Sequence, residues 1–399
     1  MIYFDHNATT PVRPEVLEAM MPHLGGLAGN PSSLHAAGRR ARSDLDRARE
    51  QVAAALGCAP AEVCFTSGGT ESDNWAIKGV VSAAAAGSRR RRIVTSSIEH
   101  HAVWHACEHL QELGVEVAYA PVDAEGTVLP EAVDELIDEA TLLVSVMHAN
   151  NETGRLQPVA EIAAAARERG SLFHCDAVQS FGKLPWRATD LGADLVSVSA
   201  HKINGPKGVG ALYVRPGTPL HPLAHGGGHE GGLRAGTENV AGIVGFGAAA
   251  ALALEELQGP RETPARRVGR LRDQLEAGIL ASLDAVEING RSAGASAAGG
   301  DPGRLPGTCN AAFRGVEAEA VILGLDLEGI AVASGSACTS GAPEPSHVLL
   351  AMGLEPRLAS SSVRFSLGWG NTEAEVARCL ELLPGIVGRL RELSTEPVS

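Results

Sequence analysis

Only four lysines occur in a chain of 399 residues, and one of them stands where an amine could do chemistry. Lys202 lies in Ser199-Ala-His-Lys-Ile-Asn-Gly-Pro-Lys-Gly208. The run before it, Asp194-Leu-Val-Ser-Val-Ser199, reads as a buried strand. Open α/β sheets present their reactive groups beyond the carboxyl ends of such strands, and here a Gly-Pro turn follows at once. Lys78 falls inside an apolar-periodic helix, with its ammonium expected in water. Lys183 falls in a Gly-Lys-Leu-Pro turn, and Lys207 is the second candidate amine. Lys202 is therefore read as a Schiff-base lysine.

Two further strand ends add to it. Gly68-Gly69-Thr70-Glu71-Ser72 follows the apolar run Val63–Ser67 and opens a helix. Free backbone N–H groups and the positive end of the helix dipole favour a phosphate there. A Walker loop needs a lysine after the second glycine, and none is present. A glycine turn with a threonine cap explains the same residues equally well. Phe173-His-Cys-Asp176-Ala-Val-Gln179 places a carboxylate at the end of another apolar strand, where alone it would read as a turn residue. The three together change that reading. Pyridoxal phosphate needs a lysine for its imine, a carboxylate at its pyridine nitrogen and a phosphate cup.

Three other groups stand out. His101, His105 and His109 recur at i, i+4 and i+8 on one helix face, which opens a metal reading. No HExxH pattern or carboxylate cluster accompanies them, so exposed helix histidines are favoured. His100, at a strand end, can face the same crevice as Lys202. Six of the seven cysteines, at 58, 64, 107, 175, 309 and 379, lie in or beside apolar elements and read as small buried hydrophobes. Cys338 alone sits among small and polar residues, in Ala333-Ser-Gly-Ser-Ala-Cys338-Thr-Ser-Gly-Ala-Pro-Glu-Pro345. An exposed thiol in a loop is a candidate nucleophile. Arg364 interrupts an otherwise apolar or small strand, as a structural ion pair or as a clamp for a substrate carboxylate.

The elements that must position these residues alternate strand and helix from Val63 to Val214. That pattern predicts a mostly parallel sheet covered on both faces. Strands are expected at Ile93–Ser97, Glu116–Val122, Leu142–Ala149, Leu172–Asp176, Asp194–Ser199 and Gly210–Val214. Helices are expected at Pro14–Leu24, His35–Leu56, Asp73–Ala86, Arg266–Leu283 and Glu373–Leu393. The pattern changes near Gln258. The expected division is a large α/β domain over 1–257, with its first dozen or so residues packed on the other part, and a smaller α+β domain over 258–399 that carries the Cys338 loop. Ser292–Arg304 reads as a mobile surface loop.

Composition excludes several classes. A net charge of −14 disfavours nucleic acid as a partner. The basic run Ser88-Arg-Arg-Arg-Arg92 reads as a solvated loop. No signal peptide is apparent. The apolar helix expected at Val240–Leu254 falls short of the ~20 residues of a membrane span. A soluble, cytoplasmic protein with reduced thiols is expected. No CxxC pair supports a zinc ribbon or a thioredoxin-like site.

The motifs resemble those of the cysteine desulfurases in the class V aminotransferase superfamily. They are Asp5-His-Asn-Ala-Thr-Thr-Pro11, Thr66-Ser-Gly-Gly-Thr-Glu-Ser72, Glu99-His100, His148-Ala-Asn-Asn-Glu-Thr-Gly154, His174-Cys-Asp-Ala-Val-Gln179, Ser199-Ala-His-Lys202, Arg234-Ala-Gly-Thr-Glu-Asn239, Ser334-Gly-Ser-Ala-Cys338-Thr-Ser and Ser362-Val-Arg364-Phe-Ser. They run in order nearly end to end, and the cysteine loop resembles the long-loop group. The resemblance implies a fold-type I transferase that binds pyridoxal 5′-phosphate. It assigns Lys202 to the imine, Asp176 to the pyridine nitrogen, and Gln179 and Asn151 to the phenolic side. His100 stacks on the ring and assists proton transfer. Thr70, Gly69, Ser199 and His201 hold the phosphate, with Thr237 reaching the phosphate of a neighbouring subunit in a homodimer. Arg364, with Asn151 nearby, binds the carboxylate of L-cysteine. Cys338 takes the sulfur as a persulfide and passes it to an acceptor protein, such as an iron–sulfur scaffold or a tRNA- or cofactor-thiolation enzyme. A selenocysteine lyase, another class V enzyme or a non-catalytic scaffold is the alternative. Gly231 stands where family members commonly carry arginine. The chain ends soon after Leu393, where some members carry a longer tail that docks a scaffold.

Overall fold

The computed structural model describes residues 1–84, 90–259, 263–292, 301–335 and 344–394. The first strand, β1 (Ile2–Tyr3), stands apart from the seven that follow. These are β2 (Val63–Thr66), β3 (Arg92–Ser96), β4 (Glu116–Ala120), β5 (Thr141–Ser145), β6 (Leu172–Asp176), β7 (Leu195–Ser199) and β8 (Gly210–Val214). They form one sheet in the order β2-β8-β7-β6-β5-β3-β4. The β3/β4, β3/β5, β5/β6 and β6/β7 pairs are parallel, and β8 runs against both of its neighbours.

Both faces of this sheet are covered, as near-continuous apolar strands require. The two-residue side-chain period divides each strand between two cores. Val94, Val144 and Val196 join Leu45, Phe173 and Phe246 on one side. Ile93, Leu143 and Leu195 join Trp75 and Leu110 on the other.

The helix Val240–Gln258 spans 19 residues and runs one turn past the Leu254 end expected from its apolar run. By length and composition it could cross a membrane. In the fold it lies against the helices Pro14–Leu24 and Ala36–Leu56. A Cβ on Gly247 would come within 2.7 Å of the Ala48 backbone, so glycine is what allows these two helices to approach.

A second sheet follows. It contains β9 (Val286–Asn289), β10 (Thr308–Phe313), β12 (Ala333–Ser334) and β13 (Ser362–Ser366), in the antiparallel order β12-β13-β10-β9. The helices Pro264–Ser282, Ala318–Leu327 and Glu373–Leu393 pack with it around Leu275, Phe313, Phe365 and Leu383. Between β10 and β12 lies the short β11 (Ile330–Ala331), which pairs in parallel with β1. Phe4 is buried in this second core, so the first residues of the chain belong to its last third.

Some boundaries differ from the sequence reading. The first helix after β2 begins at Gly69, not Asp73, so Thr70 sits in the first turn rather than ahead of it. Beyond Ser145 the chain leaves the sheet ladder but stays beside β6, with Val146 and His148 N–H donating to the His174 and Asp176 carbonyls. The described ends of the 292–304 segment are pinned rather than loose. Asp301 accepts from Ser292 N–H and Oγ, and buried Arg304 pairs with both Asp301 and Glu276. That charge cluster is what a reading based on small-residue content missed.

Candidate active site

The carboxyl ends of β2, β6 and β7 open on one cavity of about 250 Å³. Lys202 follows β7 by one short turn, and its ammonium donates to the Asn7 and Ala8 carbonyls. Burial and the Arg364 charge pull it down to about 8. Asp176 ends β6, and its Oδ1 accepts from the Val178 N–H at 2.9 Å. Burial holds the carboxyl up, at about 6. Gly69 and Thr70 form the first turn of a helix, whose leading N–H groups have no intrahelical acceptor.

The remaining residues singled out from the sequence sort cleanly. Asn151, Gln179, Ser199 and His201 line the same cavity, as does His100. His100 caps its helix with Nδ1 accepting from the Ala102 N–H at 3.1 Å. Burial and the Lys202 charge hold its ring at about 4, so the neutral imidazole carries its proton on Nε2. His201 is likewise lowered to about 4 by burial and Lys202. Thr237 does not line the cavity and is exposed on this chain. Arg364 is buried in β13. Its two terminal nitrogens donate to the Asn151 carbonyl (3.0 Å) and Asp5 Oδ1 (2.9 Å). Its Nε is buried with no partner. Cys338 lies outside the described residues.

The other cysteines make poor nucleophiles. Burial pushes the thiols of Cys58, Cys64, Cys107 and Cys379 up to about 12. Of the helix histidines, His105 and His109 are exposed and face Glu108 and Glu112 on their own helix. His101 stacks on His105 at 4.9 Å. Gly231 is exposed at φ 67°, and a Cβ there would meet nothing within 4 Å. Arginine would fit the space but not the backbone.

Three contributors were given no role by the sequence reading. Asp73 lines the cavity, one helical turn after Gly69. Burial and the Asp176 charge raise its carboxyl well above the usual range. The i, i+4 spacing from Gly69 could have flagged it. Glu99, behind His100, is buried and held up at about 8, so it is neutral near pH 7. Asn7 bridges the two sheets. Its amide donates to Thr308 Oγ1 (2.9 Å) and the Asn151 carbonyl (3.1 Å), and its carbonyl accepts from Gln179 and Lys202.

The arrangement fits a phosphate ester with a basic ring nitrogen and an electrophilic carbon. Ser199 Oγ is buried at the cavity wall without any partner, an orphan that a phosphate oxygen would satisfy. A Cβ on Gly69 would lie 2.8 Å from Val178, so the turn is open only because no side chain fills it. Asp176 can hold a ring N–H, and Lys202 can supply the amine.

The model of the aminotransferase class-V family matches residues 2–379. A cysteine desulfurase, IscS, of Dictyoglomus turgidum is 46% identical over 98% of this chain and 96% of its own length. The solved structure of a NifS-like protein superposes with a TM-score of 0.88 at 40% identity, covering 98% of this chain and 100% of that one. A structure of SspA in complex with cysteine superposes with a TM-score of 0.79 at 36% identity, over 93% and 100% of the two chains.

Proposed function

This chain belongs to the class-V aminotransferase family and, within it, to the cysteine desulfurases, and from that premise we propose how its residues divide the reaction. The enzyme removes sulfur from L-cysteine and leaves L-alanine. The resident cofactor proposed is pyridoxal 5′-phosphate, which when bound supplies the electron sink for chemistry at the substrate's Cα and Cβ. Gly69, Thr70, Ser199 and His201 would hold its phosphate. Asp176 would hold its ring nitrogen, Gln179 and Asn151 its phenolic side, and His100 would cover the ring. The single observation that carries this reading is the convergence of Lys202, Asp176 and the orphaned Ser199 Oγ on one cavity.

Lys202 is suited to proton transfer at Cα. With its amine near 8, about a tenth is neutral at pH 7. Such an amine is a usable base as well as a nucleophile. Arg364, whose Nε has no partner, would bind the substrate carboxylate, with Asn151 beside it at the edge of the cavity. The neutral His100, with its proton on Nε2, can donate a hydrogen bond into the cavity without adding a charge. Cys338 would receive the sulfur: its Sγ bonds to the substrate sulfur as the Cβ–S bond breaks. A thiol and cysteine thus become a persulfide and alanine with no external oxidant. The persulfide would then pass to an acceptor protein, an iron–sulfur scaffold or a thiolation enzyme. Thr237, exposed here, would complete the phosphate site of the partner in a homodimer.

The test compares purified wild type with Cys338→Ala, assaying alanine and sulfide released from L-cysteine in the presence of dithiothreitol. The variant is expected to lose both products while keeping the bound cofactor's colour. Equal turnover in the two proteins would remove Cys338 from the reaction and point to a lyase acting on another substrate, selenocysteine first.

A further inference from the structure

Lys183 is a cation that the proposed reaction leaves without a task. It follows Gln179 by four residues in a run of tight turns after β6, in which Phe181 N–H donates to the Ala177 carbonyl and Leu184 N–H to that of Ser180. This winding brings the Lys183 ammonium over the Gln179 side chain, where Nζ donates to Oε1 at 3.2 Å. Among the described residues no carboxylate lies within ion-pair distance of Lys183. Its neighbours are cations: burial, Lys202 and Arg364 together pull its amine down to about 7. A half-buried lysine without a counter-ion is costly, so its one hydrogen bond calls for an explanation.

The other side of Gln179 supplies one. Its Nε2 donates at 2.9 Å to the Asn7 carbonyl, the same oxygen that accepts from Lys202. A glutamine amide is nearly symmetric in shape, and turning it over exchanges oxygen for nitrogen. Here both neighbours set the polarity, the Asn7 carbonyl at any pH and Lys183 in its protonated form, which prevails below about pH 7. An ammonium can only donate and a carbonyl can only accept. Turned over, the amide would set N–H against N–H and oxygen against oxygen.

We infer that Lys183 is a positioning residue: it holds the Gln179 amide with its N–H edge toward Asn7 and Lys202, so that the cavity meets a donor rather than an acceptor. The inference rests on the proposed cofactor, whose anionic ring oxygen Gln179 would face. A donor stabilises such an oxygen, and a carbonyl in its place would repel it. Lys183 touches neither substrate nor cofactor. It acts through Gln179.

The experiment uses holoenzyme and follows the pH midpoint of the visible band of the bound cofactor, together with the affinity of apoprotein for pyridoxal phosphate. Lys183→Met keeps the length of the side chain and removes the donor. The midpoint is expected to rise by about one unit, and cofactor affinity to fall about tenfold. Lys183→Arg, which can only donate, should restore most of both. In a Gln179→Leu background, Lys183→Met should add nothing, because the residue it acts through is gone. If Lys183→Met does not fold, Lys183→Gln removes the obligate donor with a polar side chain and should show the same rise. A midpoint unmoved by either variant would overturn the inference alone. So would an equal shift in the Gln179→Leu background, which would mean that Lys183 acts by its charge directly. Wild-type protein that takes up no pyridoxal phosphate would sink the cofactor reading, and this inference with it.

Discussion

Two parts of the candidate site are built on opposite principles. The wall formed by Gly69, Asp176, Ser199 and Lys202 comes from the ends of strands of one sheet, each group within a few residues of a fixed backbone. Arg364, which does not line the cavity, comes from β13 in the other sheet. Arg364 is held there by the Asn151 carbonyl and by Asp5, 213 and 359 residues away in sequence. That wall is positioned by topology, Arg364 by a few hydrogen bonds across the molecule. Parallel strands deliver chemistry at their carboxyl ends almost regardless of detail. A crossing contact depends on each partner.

This contrast can be tested from its strongest consequence downward. Lys202→Ala should abolish turnover by about 10⁴-fold, because both nucleophile and base are lost, while circular dichroism shows an intact fold. A folded variant with appreciable rate would break the strand-end account. Arg364→Met should raise KM for L-cysteine by roughly 10- to 100-fold, the worth of a charge-assisted clamp, with a smaller change in kcat. A fall in kcat alone would mean that Arg364 does not bind ground-state substrate. Asn7→Ala removes two buried side-chain hydrogen bonds and leaves the carbonyl that meets Lys202. Its expected cost is about 1–3 kcal/mol of stability, read by urea denaturation. A neutral outcome would show that the crossing contacts are dispensable.

The smallest effect concerns the cofactor-free protein. Lys202 titrates near 8 in the fold, below its ordinary value of 10.5, so between those values the unfolded chain binds more protons than the folded one. Stability should therefore rise with pH across about 8 to 10.5, and the deficit is fully present below 8. Lys183, lowered to about 7, adds a contribution of the same sign that begins earlier. Lys202→Met should raise the apoprotein's Tm at pH 7 and flatten the climb above pH 8, as differential scanning fluorimetry can follow. An unchanged slope would mean that the amine is not desolvated.

The same contrast explains what could be read from the sequence. The strand runs before Lys202, Asp176 and Gly68 are short, apolar and bounded by turns, so period and punctuation locate both strand and site residue. Asp176 could be placed without knowing any of its contacts. Arg364 could be noticed as an arginine in a small-residue strand, but nothing local says that it meets Asp5. Asn7 was visible only as part of a motif, because its role consists of five contacts with distant residues. Lys183 looked like a turn lysine because a turn alone does not reveal what its side chain lies over. Arg304 went unnoticed for the same reason, since its partner Glu276 sits on a helix that composition treats as merely charged.

The Asn7 bridge also sets an order of events during synthesis. Asn7 emerges from the ribosome among the first residues, yet its N–H donates to Ser366, 359 positions later. At roughly 5–20 residues per second, the interval between them is on the order of 20 to 70 seconds. For roughly the last half of that time the strands that carry Lys202 and Asp176 can be present while the carbonyl that steadies both Lys202 and Gln179 has no fixed place. Retention of the proposed cofactor should therefore report completion of the C-terminal sheet, and a nascent chain stalled before Thr308 should hold none.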